Sequence, residues 1–368
     1  MPYPEIHGQE RIKTLLTRCF VMQKLAPVWL FTGPAGVQKN EMARAFIKTL
    51  LCVAPKPPDY YKAAGAYKAA DASETQYCGI CASCRLWASE THPDFFHLKP
   101  TGKLHQIKRD HTNDLLRFVS LKSYQGLGKA ILIQDADRLH SSSANALLKT
   151  LEEPPPKTFF FLTCQRQNVL PSTLLSRCQI LEFAPLSPET MRTFLKTQKQ
   201  QPADPEVAIR LSNGRVGLLQ GKAFQELLFE RERVLSIFKD WMERGKLALI
   251  DAASDILSSL ETEKKRLKQE EEETDEDSEA EGASWLKQKL DSFLQLFAEI
   301  FRDLYALQNQ GLPECLIHAD QRLLLENLAT RIFQIDQRMN DLDDMRKRLQ
   351  GTVNIKLTLE VVLLKLFP

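Results

Sequence analysis

Residues Val28 to Glu41 read Val-Trp-Leu-Phe-Thr-Gly-Pro-Ala-Gly-Val-Gln-Lys-Asn-Glu, an apolar run followed by a glycine-rich turn and a helix-prone segment. This layout is typical of a phosphate-binding loop, whose pattern is Gly, four residues, then Gly-Lys-Ser/Thr. Gly33 and Lys39 are in register, but Gln38 replaces the second glycine and Asn40 replaces the hydroxyl residue. A side chain at 38 obstructs the approach of backbone N–H groups to a phosphate, and an amide is a poor magnesium ligand. Alone, the stretch is also compatible with a strand–turn–helix that contains glycines by chance.

A second degenerate motif closes the apolar run that begins at Lys129, which ends in Asp135-Ala136-Asp137. In P-loop ATPases such a strand presents an Asp to magnesium, and a following Glu activates the attacking water. Asp135 is in place, although an aspartate there also suits a simple strand-end cap, and Ala136 cannot act as a base. The two motifs together predict a degenerate, inactive nucleotide site formed by Gly33, Gly36, Lys39 and Asp135.

Length and composition set the class of protein. The chain has 368 residues, 43% of them hydrophobic and 26% charged, which suits two or three globular domains. The formal net charge of +2 gives no global excess for nucleic-acid binding. No apolar run reaches the roughly 18 residues of a membrane span, and the first residues lack a signal-peptide layout. We therefore expect a cytoplasmic protein with no membrane contact.

A cysteine cluster follows the first predicted loop helix: Cys52, and then Cys78-Gly-Ile-Cys81-Ala-Ser-Cys84. Four thiolates are what a tetrahedral structural zinc site needs, and the two-residue spacers allow convergence on one ion. A redox pair explains neither Cys52 nor Cys84, and cysteines that merely pack remain an alternative. The long insert from Val53 to Tyr77 makes Cys52 the least secure ligand.

The pattern of elements changes near Pro185. Before it, five short apolar strands, the last near Ile180 to Phe183, alternate with helical segments, which predicts a parallel α/β sheet covered on both faces. After it only helices are predicted, at 189–220, 226–260, 285–307, 323–349 and 358–367. The run Glu270 to Glu281 carries nine acids in twelve residues and predicts a solvated, mobile connection.

Four features resemble the clamp-loader branch of the AAA+ ATPases, and within it the delta-prime family of bacterial DNA polymerase III. They are the loop Gly33 to Asn40, the cysteine cluster, the helix Ala144 to Pro155 and the triplet Ser176-Arg177-Cys178. The resemblance is specific over residues 5–185 and mainly architectural over 186–368. It implies a RecA-like α/β AAA+ domain at 1–185 with a zinc module at about 52–84, a helical lid at 186–222, and an all-α collar at 223–368 with an acidic linker at 269–282.

The resemblance also implies a function. In this family five subunits form an open ring, with each ATP at a seam between neighbours. It implies a subunit that hydrolyses no ATP itself, helps load the sliding clamp onto primed DNA, and donates Arg177 in trans as an arginine finger to a neighbour's ATP. The implied partners are the gamma/tau motor subunits and the delta subunit, with clamp and primed DNA reached through the complex. The implied cofactors are structural zinc and the neighbour's ATP. The subunit itself is implied to be part of a DNA-directed DNA polymerase holoenzyme.

Two alternatives come from other classes: an ATP-hydrolysing motor subunit, and a free-standing zinc-module nucleic-acid-binding protein. The replacements at 38, 40 and 136 count against the first, and the near-neutral charge counts against the second. Arg177 is expected on an exposed rim, away from the chain's own Gly33 loop, although an ordinary surface arginine paired with an acid is the simpler interpretation. Lys149 is either a DNA-phosphate contact or a helix-surface lysine, and Arg215 is out of register for the lid arginine of active members.

Overall fold

The computed structural model describes residues 3, 6–55, 77–100, 107, 109–125, 128–139, 141–165, 167–198, 202, 204–269, 277–309, 311, 315–349 and 355–367. Five strands form one sheet: β1 (Val28–Thr32), β2 (Phe95–Leu98), β3 (Lys129–Ile133), β4 (Thr158–Cys164) and β5 (Gln179–Glu182). Their order is β2-β3-β4-β1-β5, and all neighbours pair in parallel. The predicted parallel α/β sheet is confirmed.

Helices connect and flank these strands, as parallel strands require crossover connections. In chain order they are α1 (Glu10–Val21), α2 (Lys39–Leu50), α3 (Ala82–Ala88), α4 (Arg109–Ser120), α5 (Ser141–Glu152), α6 (Ser172–Leu175) and α7 (Pro188–Thr197).

The central strands are buried on both faces. In β1 all five residues are buried: Trp29 and Phe31 pack into one hydrophobic cluster, while Val28 and Leu30 pack into a second. This explains the uninterrupted apolar run, since a strand with two covered faces has no solvent side. The edge strand β5 differs. Its Ile180 is exposed, whereas the neighbouring Leu181 is buried.

The C-terminal part is helical, as predicted. Its helices are α8 (Pro205–Ser212), α9 (Ala223–Arg244), α10 (Lys246–Gln269), α11 (Asp277–Gln308), α12 (Arg322–Arg331), α13 (Ile335–Arg348) and α14 (Ile355–Leu366). Apolar side chains of α9 to α14 form one core, in which Phe238, Phe297 and Phe367 contact one another.

Two predicted helical segments in this part are each divided into two helices. The segment 226–260 is two helices, separated at Gly245, which has φ +68°. The segment 323–349 is also two helices, and Gln334 precedes the second with φ +56°. Gly245 is the single residue between α9 and α10 and ends the run of helical dihedrals. The helix α12 instead ends before Ile332, which is extended (φ −101°, ψ 117°), and Gln334 lies just before α13. The acidic linker is helical at both described ends, since α10 reaches Gln269 and α11 begins at Asp277; residues 270–276 lie outside the described part.

The chain divides into two compact units. The first contains the described residues of Met1–Thr101 and His105–Thr197 with Gly214–Gly217, and the second contains those of Gln198–Asn213 and Leu218–Pro368. Helix α7 thus belongs to the first unit and α8 to the second, while the three-domain division at 185 and 222 stays a prediction. No helix in the described part of the chain is long and apolar enough to cross a membrane.

Candidate functional site: a self-closed phosphate loop, a cysteine cluster and a rim arginine

The loop that follows β1 is packed against the edge strand. Gly33 has φ +144°, and a Cβ built on it would lie 2.3 Å from the carbonyl oxygen of Phe183. Only glycine fits, because any side chain would strike backbone and the dihedral is unfavourable for L residues. The frame of the loop is therefore fixed by close approach to the chain just after β5.

Lys39, the lysine of the motif, is turned back on its own loop. Its Nζ donates to the carbonyl oxygens of Gly33 and Pro34, both at 2.6 Å, and the residue is only 5% exposed. Burial lowers the pKa of Lys39, while the nearby Asp135 carboxylate opposes that shift. The ammonium is thus satisfied by the chain's own carbonyls at the place where a phosphate would need it.

Gln38 fills the position of the missing second glycine. It is buried and has φ +65°, a conformation that costs a non-glycine residue about 1–2 kcal/mol. Its Oε1 accepts a hydrogen bond from the backbone N–H of His7 at 2.8 Å. The side chain therefore pins the loop to the segment that precedes α1. The His7 ring in turn packs edge-on against Phe194, with centroids 5.0 Å apart.

Asn40 is held by a second internal contact. Its Oδ1 accepts from the hydroxyl of Thr163 at 2.7 Å, and the same hydroxyl oxygen accepts from the backbone N–H of Asp135 at 3.0 Å. Thr163 is fully buried. This chain links the start of α2 to the ends of β3 and β4, so the amide that replaces the magnesium hydroxyl has a structural partner.

The acidic side of the site also lacks its base. Asp135 precedes a short 3-10 helix, to which its side chain makes no capping hydrogen bond, and Ala136 in that helix is buried. Burial and the neighbouring Asp135 carboxylate raise the pKa of Asp137, whose Oδ1 accepts from the backbone N–H of Gln165 at 3.4 Å. The carboxylate that follows Ala136 in the sequence therefore accepts a hydrogen bond from the chain just after β4.

A segment that the sequence did not connect to the loop covers it. The backbone N–H of Gly217 donates to the carbonyl of Gly36 at 2.8 Å. A Cβ on Gly217 would lie 2.8 Å from the Cα of Gly36, and one on Gly36 would lie 3.3 Å from the Cβ of Arg215. The two glycines allow this backbone-to-backbone contact. The pair Gly214 and Gly217 flanking Arg215 was the signal available in the sequence.

Arg177 and the Gly33 loop lie at opposite ends of the adjacent strands β1 and β5. It precedes the amino end of β5, whereas Gly33 follows the carboxyl end of the adjacent strand β1. In the paired register Trp29 faces Gln179 and Thr32 faces Glu182, so these two ends are about 10 Å or more apart.

The side chain of Arg177 is 30% exposed rather than free on a rim. Its Nη2 makes an ion pair with Oε1 of Glu152, the last residue of α5, and Nη1 donates to the carbonyl of Thr173. The alternative interpretation, an arginine paired with an acid, therefore describes this conformation of the side chain.

All four predicted cysteines converge. The Sγ atoms of Cys52, Cys78, Cys81 and Cys84 lie within 4.8 Å of one another. The individual Sγ–Sγ distances are 3.8 Å between Cys52 and Cys81, 3.7 Å between Cys52 and Cys84, and 4.0 Å between Cys78 and Cys84. Sulfurs placed tetrahedrally at 2.3 Å from a zinc ion stand about 3.8 Å apart, so this donor set fits zinc.

Backbone N–H groups point at the sulfurs. The N–H of Cys78 donates to the Sγ of Cys52 at 3.3 Å. The N–H of Cys81 donates to the Sγ of Cys78 at 3.3 Å, and that of Cys84 donates to the Sγ of Cys81 at 3.4 Å. Burial raises the pKa of Cys84. Burial also acts to raise the pKa of Cys81, but hydrogen bonds from the backbone N–H groups of Cys84 and Val53 and from the neighbouring thiols outweigh it and lower that pKa to about 6. The doubt about Cys52 arose from the insert, of which residues 56–76 lie outside the described part. Cys52 reaches the cluster because it directly follows α2.

A buried hydrogen-bond chain anchors the cysteine helix α3 to the end of α2. The backbone N–H of Asp94 donates to Nδ1 of His92 at 3.2 Å, so Nε2 carries the proton. That Nε2 lies 2.8 Å from the hydroxyl of Ser83, which donates to the carbonyl of Leu51 at 2.5 Å. This neutral imidazole is consistent with burial, which lowers the pKa of His92.

Replacing Ser83 with alanine is expected to destabilise the protein by about 1–3 kcal/mol, because it leaves a buried donor and a buried acceptor without partners. Chemical unfolding of the wild type and of Ser83→Ala measures the difference. Ser89→Ala, at the exposed end of the same helix, is the matched control: its hydroxyl makes hydrogen bonds only at the exposed surface, so stability should change by less than about 0.5 kcal/mol. An equal effect of both variants would contradict the buried chain.

The chain is similar in sequence to known proteins. A model described as "DNA polymerase III, delta subunit" matches residues 8–187. The chain is 33% identical to the DNA polymerase III subunit delta' of Pseudomonas aeruginosa over 51% of its own length and 53% of the relative's. It is 32% identical to that of Yersinia pestis over 68% and 66%. A subunit tau/gamma of Haemophilus influenzae is 29% identical over 59% and 29%.

The aligned part covers 53%, 47% and 46% of three of the delta' relatives, about half of their length.

Proposed function

The chain belongs to the delta' family of DNA polymerase III subunits, and on that basis we propose that it serves the clamp loader as a subunit that does not hydrolyse ATP. One observation carries the proposal: the Gly33–Asn40 loop is satisfied by its own chain. Lys39 binds loop carbonyls, Gln38 binds the backbone at His7, and Asn40 binds Thr163. Hydrolysis needs these positions for phosphate and magnesium.

The subunit would act through its partners in the complex. It would assemble with gamma/tau motor subunits and a delta subunit, and help to place a sliding clamp on primed DNA. Similarity to a tau/gamma subunit supports a shared architecture with the motor subunits. Arg177 would be offered in trans to ATP on a neighbour, since its planar fork suits an anionic phosphoryl group. Its position beside the edge strand β5, away from Gly33, supports that role.

The cysteine cluster would hold a structural zinc. With four thiolates and no open position, such an ion would tie α3 to the end of α2 rather than take part in catalysis. Cys52, Cys78, Cys81 and Cys84 would be the ligands.

One assay distinguishes the proposed non-hydrolysing subunit from an ATP-hydrolysing motor subunit. The isolated protein is expected to hydrolyse ATP no faster than its Lys39→Ala variant, because the base at 136 and the magnesium hydroxyl at 40 are both absent. Steady-state phosphate release by the purified chain measures this. Turnover well above that of Lys39→Ala would assign the protein to the motor class.

The free-standing alternative is tested by assembly. Co-purification with tau/gamma and delta subunits is expected, and ATPase measurements on each component and on the reconstituted complex locate the active sites. A chain that binds nucleic acid alone and joins no complex would overturn the proposed function.

A further inference from the structure

The ion pair between Arg177 and Glu152 bears on how the arginine would be used. Glu152 ends α5, and Arg177 follows α6. Nη2 of the arginine contacts Oε1 of the glutamate, while Nη1 donates to the carbonyl of Thr173 and lies 3.4 Å from the hydroxyl of Ser176. Both terminal nitrogens of the guanidinium are therefore engaged within the chain.

The electrostatic consequence is direct. A guanidinium paired with a carboxylate presents almost no net charge to a third group, and the carboxylate repels a phosphate that approaches the same face. An arginine stabilises phosphoryl transfer through its positive charge and its free N–H donors. In this conformation, the positive charge of Arg177 is paired and its terminal N–H donors are hydrogen-bonded within its own subunit.

The position of Glu152 makes the pair reasonable in the resting protein. A carboxylate in the last turn of a helix faces the negative end of the helix dipole and gains from a cation beside it. Arg177 supplies that cation and also donates to a carbonyl of α6. The pair is nonetheless easily broken, because Glu152 is 45% exposed and pairs of this kind contribute little.

We propose that Glu152 is a latch that holds Arg177 in a charge-neutral resting state, and that the arginine exchanges this carboxylate for the phosphate of the neighbour's ATP when the seam closes. The inference rests on the proposed function of Arg177 in trans. Glu152 is a positioning residue: it acts through Arg177 and touches no nucleotide.

The test is Glu152→Gln in the reconstituted complex, which keeps the shape of the side chain and removes its charge. The ATPase rate without clamp and DNA is expected to rise about two- to fivefold, the size that a half-exposed pair allows. The KM for ATP should stay nearly unchanged, because the released arginine stabilises the transition state more than bound ATP. Glu153→Gln is the matched control: the next carboxylate is exposed and has no ion pair with Arg177 in the part of the chain that the structure describes.

Salt provides a readout that a structural role of Glu152 would not move. The unstimulated rate of the wild-type complex should approach that of Glu152→Gln as salt screens the pair, so that their ratio falls toward one. A constant ratio at all salt concentrations would count against the latch.

Arg177→Ala distinguishes a failure of the latch from a failure of the proposed role of Arg177 in trans. If it lowers the ATPase of the complex while Glu152→Gln leaves the unstimulated rate unchanged or lowers it, the latch is wrong and the proposed function stands. If Arg177→Ala has no effect, the role in trans is wrong and the latch falls with it. A rise with Glu152→Gln, none with Glu153→Gln and a loss with Arg177→Ala supports both.

Discussion

Replacing Cys81 with serine is expected to abolish zinc binding and to lower the free energy of unfolding by several kcal/mol. Zinc bound to a preformed set of thiolates contributes its binding energy to folding, about 10–16 kcal/mol in zinc-finger peptides. The effect here should be a fraction of that figure, since two hydrophobic clusters hold the sheet independently of the cysteines. The loss should be concentrated in α3 and the end of α2, which the cluster joins.

Elemental analysis and chemical unfolding of the full chain measure both parts of this prediction. Cys315→Ser is the control, because Cys315 is an exposed cysteine far along the chain in the helical unit. Cys52→Ser should behave like Cys81→Ser, given that Cys52 lies 3.8 Å from Cys81 through their sulfurs. Unchanged zinc content in Cys52→Ser would remove that ligand alone, and wild-type protein purified without chelator but free of zinc would refute the site.

Much of the fold can be predicted from local sequence patterns. The strands were readable because a strand buried on both faces is mostly apolar, as the first four residues of β1, Val28 to Phe31, are. The cysteine cluster was readable because short spacers restrict where sulfurs can go. The breaks after α9 and α12 were not, because each is short, a single residue at Gly245 and three residues at 332–334, and apolar positions continue on both sides.

The decisive features of the site join residues far apart in sequence. Gln38 was recognised as an obstruction, but its partner is the backbone of His7, and the cover over Gly36 comes from Gly217. Neither contact has a local signature. The same holds for Arg177: the triplet around it was visible, whereas the carboxylate that neutralises it lies in another helix. Sequence patterns thus identified the chemical groups, and the fold determined which of them are engaged.

Arg177→Ala is expected to reduce hydrolysis at the neighbouring seam by about a thousandfold or more, the range found for arginine fingers in other systems. A cation placed at the transferring phosphoryl group stabilises the transition state more than bound ATP. The rate constant should therefore fall while ATP affinity changes little. Arg177→Lys should recover only part of the loss, because an ammonium keeps the charge but lacks the planar fork of donors. Stability of the isolated chain should hardly change, since the pair with Glu152 is half-exposed.

The measurement is ATP hydrolysis by the reconstituted complex with clamp and primed DNA, together with nucleotide binding and assembly. Because Arg177 would reach the ATP of one neighbour, the total rate should fall by the contribution of that site if the sites act independently, and by more if they act in sequence. Single-turnover hydrolysis separates these cases. Assembly should survive, because one side chain beside the edge strand contributes little to a large interface. Unchanged single-turnover hydrolysis and clamp loading would show that Arg177 is an ordinary partner of Glu152, and would leave the subunit without a role in its neighbour's chemistry.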